Sequence, residues 1–83
     1  MKINHLKEEN RFETYVEGHK AVLDYVIQDG AIVIVRTFVP KPVKGRGIAG
    51  ELVKAAYDYA VKEGMGCKAI CSYAQAWLEK RGY

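Results

Sequence analysis

The chain has 83 residues, a length that holds one small domain, and the whole of 1–83 is expected to fold as that unit. It is 49% hydrophobic and 28% charged, with a net charge of +3 at pH 7. That balance is globular, and its mild basic excess suits an anionic ligand but falls short of a nucleic-acid footprint. No stretch approaches the roughly 18 consecutive apolar residues of a membrane span, and the opening MKINHLKEENRF has no apolar core of a signal peptide, so a cytoplasmic protein without a membrane partner is expected.

Residues 11–16, RFETYV, alternate and carry β-formers, which predicts a first strand. Glu17-Gly18 reads as a turn, and residues 20–28 as a second strand. Asp29-Gly30 is a strong hairpin signal, because both central residues of a type I′ turn need positive φ. Residues 31–39, AIVIVRTFV, make a third strand, apolar on both faces at its centre and therefore expected to be covered on both sides. Two prolines in PKPVKGRG stop it. From Gly47 to Glu63 the period becomes helical: Ile48, Leu52, Ala56 and Tyr59 form one stripe, and Asp58 with Lys62 has the spacing of an ion pair. Gly64 ends the helix. Lys68–Cys71 is predicted as a short strand and 73–81 as a second helix stopped by Gly82.

The order β-β-β-α-β-α gives an α+β fold: a mostly antiparallel sheet with one parallel strand pair, made by a right-handed crossover, and helices packed on it. If Cys67 and Cys71 share a strand they stand about 13 Å apart at ~3.3 Å per residue, beyond the reach of a disulfide. Their spacing with His5 and His19 matches no common zinc pattern, so no metal is expected. A sheet this short has exposed edges, but nothing in the sequence specifies a partner strand, and a monomer is expected.

The stretch KGRGIAG places glycines at 45, 47 and 50. It is not a P-loop, which needs Lys and then Ser or Thr after the second outer glycine, where this chain has Glu51 and Leu52. It also fits the dinucleotide fingerprint poorly. Prolines separate it from the strand, and about 20 residues past Gly50, where that motif carries an acid, lie Ile70 and Cys71. A third reading uses the same physics. The first N–H groups of a helix lack intrahelical partners and, with the helix dipole, favour an anion. Gly45, Gly47 and Gly50, with small Ala49, let a pyrophosphate approach the backbone, and Lys41, Lys44 and Arg46 add positive charge.

KGRGIAGELV resembles the acetyl-coenzyme-A-binding motif of the GNAT superfamily of N-acetyltransferases: Gln or Arg, two residues, Gly, one residue, then Gly or Ala. Here it reads Lys44, Gly45-Arg46, Gly47, Ile48, Ala49, with Lys replacing the first residue. CSYAQAWLEKRGY is similar to the superfamily's last helix, with Ala74, Lys80, Gly82 and Tyr83 in register. Cys71 stands where the pattern has Asn, and Leu78 where it often has the Tyr that protonates the leaving thiolate. Small stand-alone members carry Cys-Ser-Tyr at this place, matched by Cys71-Ser72-Tyr73, and Thr-x-Val before the loop, matched by Thr37-Phe38-Val39. Their usual His before that Thr is Arg36 here. The resemblance spans about residues 11–83.

The resemblance implies acetyl transfer from acetyl-CoA, the expected co-substrate, to an amine that the sequence does not identify, or a CoA-binding module with little turnover. Thr37, Phe38, Val39, Lys44, Gly45, Arg46, Gly47, Ile48, Ala49 and Gly50 are the expected CoA contacts. The backbone near Val39 would receive the developing oxyanion. Cys71, and after it Tyr73, would serve as proton donor to the thiolate, with Cys71 also placed to act as nucleophile. RNA is not an expected partner: an RNP1-type strand needs aromatics after Lys-Gly, and KGRGIAGEL has none.

Overall fold

The computed structural model describes residues 1–81; Gly82, read as the stop of the last helix, and Tyr83 lie outside the described residues. Five strands and two helices follow one another as β1 (Asn4–Leu6), β2 (Arg11–Val16), β3 (His19–Gln28), β4 (Ala31–Phe38), α1 (Ile48–Lys62), β5 (Gly66–Ala69) and α2 (Ser72–Lys80), with single turns of 3-10 helix at Lys7–Glu9 and Lys41–Val43. The sheet order is the chain order, β1 to β5. The first four strands pair antiparallel, and β4 with β5 is the parallel pair made by the α1 crossover.

The two predicted hairpins form as their turn residues dictate. Glu17 and Gly18 have φ of 51° and 79°, Asp29 and Gly30 of 51° and 75°, the double positive φ that matches the right-handed strand twist. Strand β1 was not foreseen. NHL is too short and too polar to alternate, and it is a strand because it pairs with β2, from Asn4–Glu13 to Leu6–Arg11. The buried Thr14 hydroxyl ties the residues before it by donating to the Lys2 carbonyl at 2.6 Å.

Strand alternation sorts the side chains onto two faces. Phe12, Ala21, Leu23, Tyr25, Ile32 and Ile34 enter one core with Ile48, Leu52, Val53, Ala56 and Ala60 of α1 and Ala74, Trp77 and Leu78 of α2. The helical stripe expected on α1 is thus buried at Ile48, Leu52 and Ala56, widened by Val53 and Ala60, while Tyr59 packs at its margin. The ion pair on α1 differs from expectation: Asp58 accepts from Lys54 at 2.8 Å, one turn before it, rather than from Lys62. The opposite face of the sheet corrects a further expectation. Strand β4 is covered on one side: Ile32 and Ile34 are fully buried, whereas Val33 is half-buried and its β3 neighbour Val26 is 42% exposed. That face carries the row Arg11–Asp24–Arg36, where Asp24 accepts from Arg11 at 2.7 Å and from Arg36 at 3.1 Å. Burial works against the Asp24 carboxylate, but the two guanidiniums outweigh it and hold the group below its usual range.

Near the N-terminus an aromatic cluster anchors β1. The His5 ring stacks on Phe12 at 4.0 Å, meets Tyr59 edge-on at 4.4 Å, and shares a 2.7 Å hydrogen bond with the Tyr25 hydroxyl. Among the described residues no helix is long and apolar enough to cross a membrane.

Candidate functional site

The site grows from one irregularity in β4. Its register with β3 shifts between Asp24 and Tyr25, which pair with Arg36 and Ile34 and leave Val35 as an extra residue. A bulge adds twist and bends the strand. Ile34 is also the last β4 residue paired with β5, opposite Ala69. Beyond it the two parallel strands part. The Ile34 carbonyl takes the final bonds, from the N–H of Ile70 at 2.9 Å and of Cys71 at 3.3 Å. The extra residue also resets the alternation. Thr37 pairs with the core residue Leu23, so it faces the same side as Ile34 although three positions separate them.

That reset brings Thr37 to Cys71, with Oγ1 and Sγ 3.5 Å apart. Cys71 is not on a strand, as the sequence pattern predicted. Strand β5 ends at Ala69 once β4 leaves it, and Cys71 becomes the N-cap of α2. No cap bond of ordinary length forms from its side chain, but the sulfur lies where the helix N-terminus acts on it. Burial pushes the thiol up; the Thr37 hydroxyl and the backbone N–H groups of Ala74, Tyr73 and Thr37 together outweigh that, and the thiol ends below its ordinary value. Cys67, on β5, has only burial acting on it and is pushed up. The two cysteines, four residues apart, are thus shifted in opposite directions. Both are free thiols.

After β4 the chain passes Val39, Pro40 and the 3-10 turn and enters α1 through the glycines. Gly45 and Gly47 have φ of 83° and 76°, a conformation that favours residues without a Cβ. Gly47 is the N-cap of α1 and, having no side chain, leaves the helix end without a side-chain cap. The first N–H groups of α1, with the helix dipole behind them, can receive an anion there. Gly50 is needed for another reason: a Cβ on it would stand 3.3 Å from the Tyr73 hydroxyl and 3.4 Å from Trp77 Nε1. The start of α1 thus runs directly beneath two aromatic side chains of α2.

Two clefts meet at this crossing. One, of about 380 Å³, is lined by Val39, Lys44, Gly45, Ile48, Ala49 and Tyr73. The other, of about 520 Å³, lies between the helices and is lined by Gly50, Glu51, Lys54, Trp77, Lys80 and Arg81. Gly47 and Tyr73 belong to both. Of the residues expected to contact CoA, Val39, Lys44, Gly45, Gly47, Ile48, Ala49 and Gly50 line these clefts together with Tyr73, Thr37 meets Cys71 outside their linings, and Arg46 and Phe38 line neither. Arg46 forms an exposed ion pair with Glu17 of the β2–β3 turn at 2.6 Å. Phe38, 46% exposed, pairs with Val22 on the far face of the sheet beneath the Arg36 guanidinium. The helix-to-helix cleft, with Trp77 and Arg81, was not foreseen, since nothing in the sequence says that α2 lies along α1. Among the described residues no group of three or more His, Cys, Asp and Glu could hold a metal ion.

A sheet whose parallel pair parts beside a glycine-led helix N-terminus defines the class. Residues 11–83 match the family of the GCN5-related N-acetyl-transferase, and the chain belongs to it. It is 32% identical over 83 residues to Protein NATD1 of Mus musculus, covering 96% of this chain and 76% of that one. With Protein NATD1 of Homo sapiens the identity is again 32%, over 74% of that protein. The fold superposes with a TM-score of 0.74 on the solution structure of a GCN5-like N-acetyltransferase candidate from Staphylococcus aureus. That match is 28% identical and covers 96% of this chain and 79% of the other.

Proposed function

We propose that this chain transfers the acetyl group of acetyl-CoA to an amine, as a member of the small Cys-Ser-Tyr branch of the family. The observation that carries the reading is the placement of Cys71, at the point where β4 and β5 part, with its thiol lowered. The gap between the strands accommodates the pantetheine arm. The glycine-led end of α1 receives the pyrophosphate, with Thr37, Val39, Lys44, Gly45, Gly47, Ile48, Ala49 and Gly50 as contacts. The Gly50 cradle and the uncapped helix end are the features that fit it. Arg46, paired with Glu17, and Phe38, under the Arg36 guanidinium, are given no contact in this reading.

In this reading Cys71 is the acetyl carrier. Its thiolate attacks the thioester carbon, the Val39 N–H steadies the oxyanion, and the C–S bond to CoA breaks. The departing CoA thiolate takes up a proton from the Tyr73 hydroxyl, which solvent reprotonates before the next turnover. The amine then displaces Cys71, which returns as thiolate while the amine proton passes to solvent. A CoA-binding module with little turnover is the second reading. It is favoured by Leu78, which holds the place of the superfamily's usual acid and is buried in the core.

Titration of isotope-labelled protein with acetyl-CoA, followed by mass spectrometry of the protein, tests both. Shifts centred on Gly45–Gly50, Val39 and Cys71, together with an acetyl adduct that is lost in Cys71→Ala, support catalysis. The same shifts with no adduct and no transfer favour the binding module. No shifts at millimolar ligand overturn both.

A further inference from the structure

Both helices pack on one face of the sheet, and the other face is open. Where β4 and β5 part, the core side is closed by α1 and α2, and in the reading above the CoA thioester fills what is left of it. The amine must then reach the acetyl carbon on Cys71 from the open face. Arg36 and Phe38 flank Thr37 in sequence and point to that face of β4. Lys68 of β5 is exposed on the same face, opposite Val33. The Arg36 guanidinium is held in place. It lies over the Phe38 ring at 5.4 Å, and its Nη1 donates to Asp24 at 3.1 Å, yet the side chain stays 54% exposed. Its other two nitrogens bond no protein group among the described residues. Asp24 does not neutralise it, because the same carboxylate accepts from Arg11 at 2.7 Å, and one carboxylate between two guanidiniums leaves a positive charge over. Strands β4 and β5 carry no acid of their own, and Glu13, the next acid on this face, is two strands away opposite Val22. A fixed guanidinium with a free edge and an unmet charge matches a carboxylate.

We infer that the acetyl acceptor is a small amine bearing a carboxylate, of the amino-acid type, and that Arg36 sets this specificity from the open face of the sheet. The carboxylate lies on the free edge of the Arg36 guanidinium, Lys68 adds to the field, and the amine end points into the parting of the strands. The same two cations disfavour an ammonium beside them, so the bound amine gives up one proton to solvent and presents its lone pair. That nitrogen bonds to the acetyl carbon, the C–S bond to Cys71 breaks, the sulfur leaves as thiolate, and a second amine proton passes to solvent. The product is an N-acetyl acid. This rests on the acetyl-transfer reading above and adds to it the class of acceptor.

The test uses the full chain with acetyl-CoA and the acceptors glycine, β-alanine and 4-aminobutyrate, each against its own amide, a series that varies the distance between amine and carboxylate. Rates are compared per unit of neutral amine, and acetylation of Cys71 is followed in parallel by mass spectrometry. The expected result is that at least one acid is acetylated with kcat/KM about tenfold above that of its amide, as one charge-assisted contact predicts. Arg36→Gln should erase that ratio, chiefly through KM; Arg36→Lys should keep part of it, and Lys68→Gln should reduce it less. A purely structural effect of these substitutions would lower acid and amide alike. A ratio near one in the parent chain, or a ratio that survives Arg36→Gln, would overturn the inference and leave the transfer reading standing. Acetylation of Cys71 with no transfer to any of the acids would do the same. Neither adduct nor transfer would overturn both.

Discussion

The Cys71 sulfur lies 3.5 Å from the Thr37 hydroxyl, just past Ile34 and Ala69, the last residues through which β4 and β5 pair. The bulge at Val35 makes this meeting possible by turning Thr37 to the core side of β4. Because the hydroxyl is one of the groups that offset burial at the thiol, Thr37→Val should raise the Cys71 pKa. The rate of iodoacetamide alkylation against pH will then have its midpoint at higher pH than in the parent chain. Alkylation of Cys67, raised by burial alone, should be unaffected. An unchanged Cys71 midpoint would remove Thr37 from the thiol's environment.

Two glycines of the loop should respond differently to alanine. At Gly47 nothing stands within 4 Å of the added Cβ, but φ is +76°, so Gly47→Ala should lose about 1 kcal/mol of stability through backbone strain alone. At Gly50 the backbone is helical, and alanine gains up to about 1 kcal/mol of helix propensity, offset by contacts at 3.3 Å and 3.4 Å with Tyr73 and Trp77. Its stability should stay near that of the parent, while affinity for acetyl-CoA falls because the cradle is filled. Thermal melts and ligand titrations of the two variants separate strain from occupancy.

Leu52 is fully buried beneath the sheet. Leu52→Ala should cost about 2–5 kcal/mol by lost transfer energy and the cavity left behind. For a domain this small, with total stability of about 5–15 kcal/mol or less, urea unfolding should show the midpoint falling sharply. Val61→Ala, on the exposed side of the same helix, should leave it almost unchanged.

His5 gives the fold a pH dependence with a definite sign. Burial first, then Lys7, lowers its pKa below the usual 6.5. Tyr25, whose hydroxyl bonds the ring, has its own pKa raised by burial and stays uncharged in this range. Below 6.5 the unfolded chain binds the proton while the folded chain does not, so stability falls as pH drops from 6.5 through the folded value. His5→Phe should flatten that part of the curve. Asp24, with its pKa lowered, adds stability that is present above the ordinary carboxylate value of 3.8 and lost only as pH falls through its folded value, so the two losses occupy separate windows. Melting temperatures between pH 7 and pH 5 for the two proteins settle the assignment.

Much of this architecture was legible where the local chemistry is strong. The Asp29-Gly30 turn, the α1 stripe and the glycine spacing each carry a physical reason readable in one dimension. What failed to read depends on partners. Asn4–Leu6 is a strand only because β2 offers an edge. Cys71 left its predicted strand because β4 bends away from β5 at Val35, and a bulge leaves no mark in VIVRTFV. Arg46 looked like part of a basic loop until the β2–β3 turn set Glu17 beside it. The parallel strand pair followed from connectivity alone, whereas the cleft beside Trp77 needed the crossing of two helices that no periodicity specifies.

The parallel seam also assigns the walls of the site to different stages of assembly. Strands β1 to β4 pair with sequence neighbours through short turns, while β5 must return across the whole of α1 to meet β4, from Ala31–Gly66 to Ile34–Ala69. Pairing at such separation is slow to form, because loop closure is paid for before contacts reward it. The segment bearing Cys71 and Trp77 is therefore expected to dock last and to detach first, as a sub-global opening that spares the hairpins. A ligand bridging both walls would act as a clasp across that seam, so its binding should slow amide exchange in β5 and α2 more than in β2 and β3.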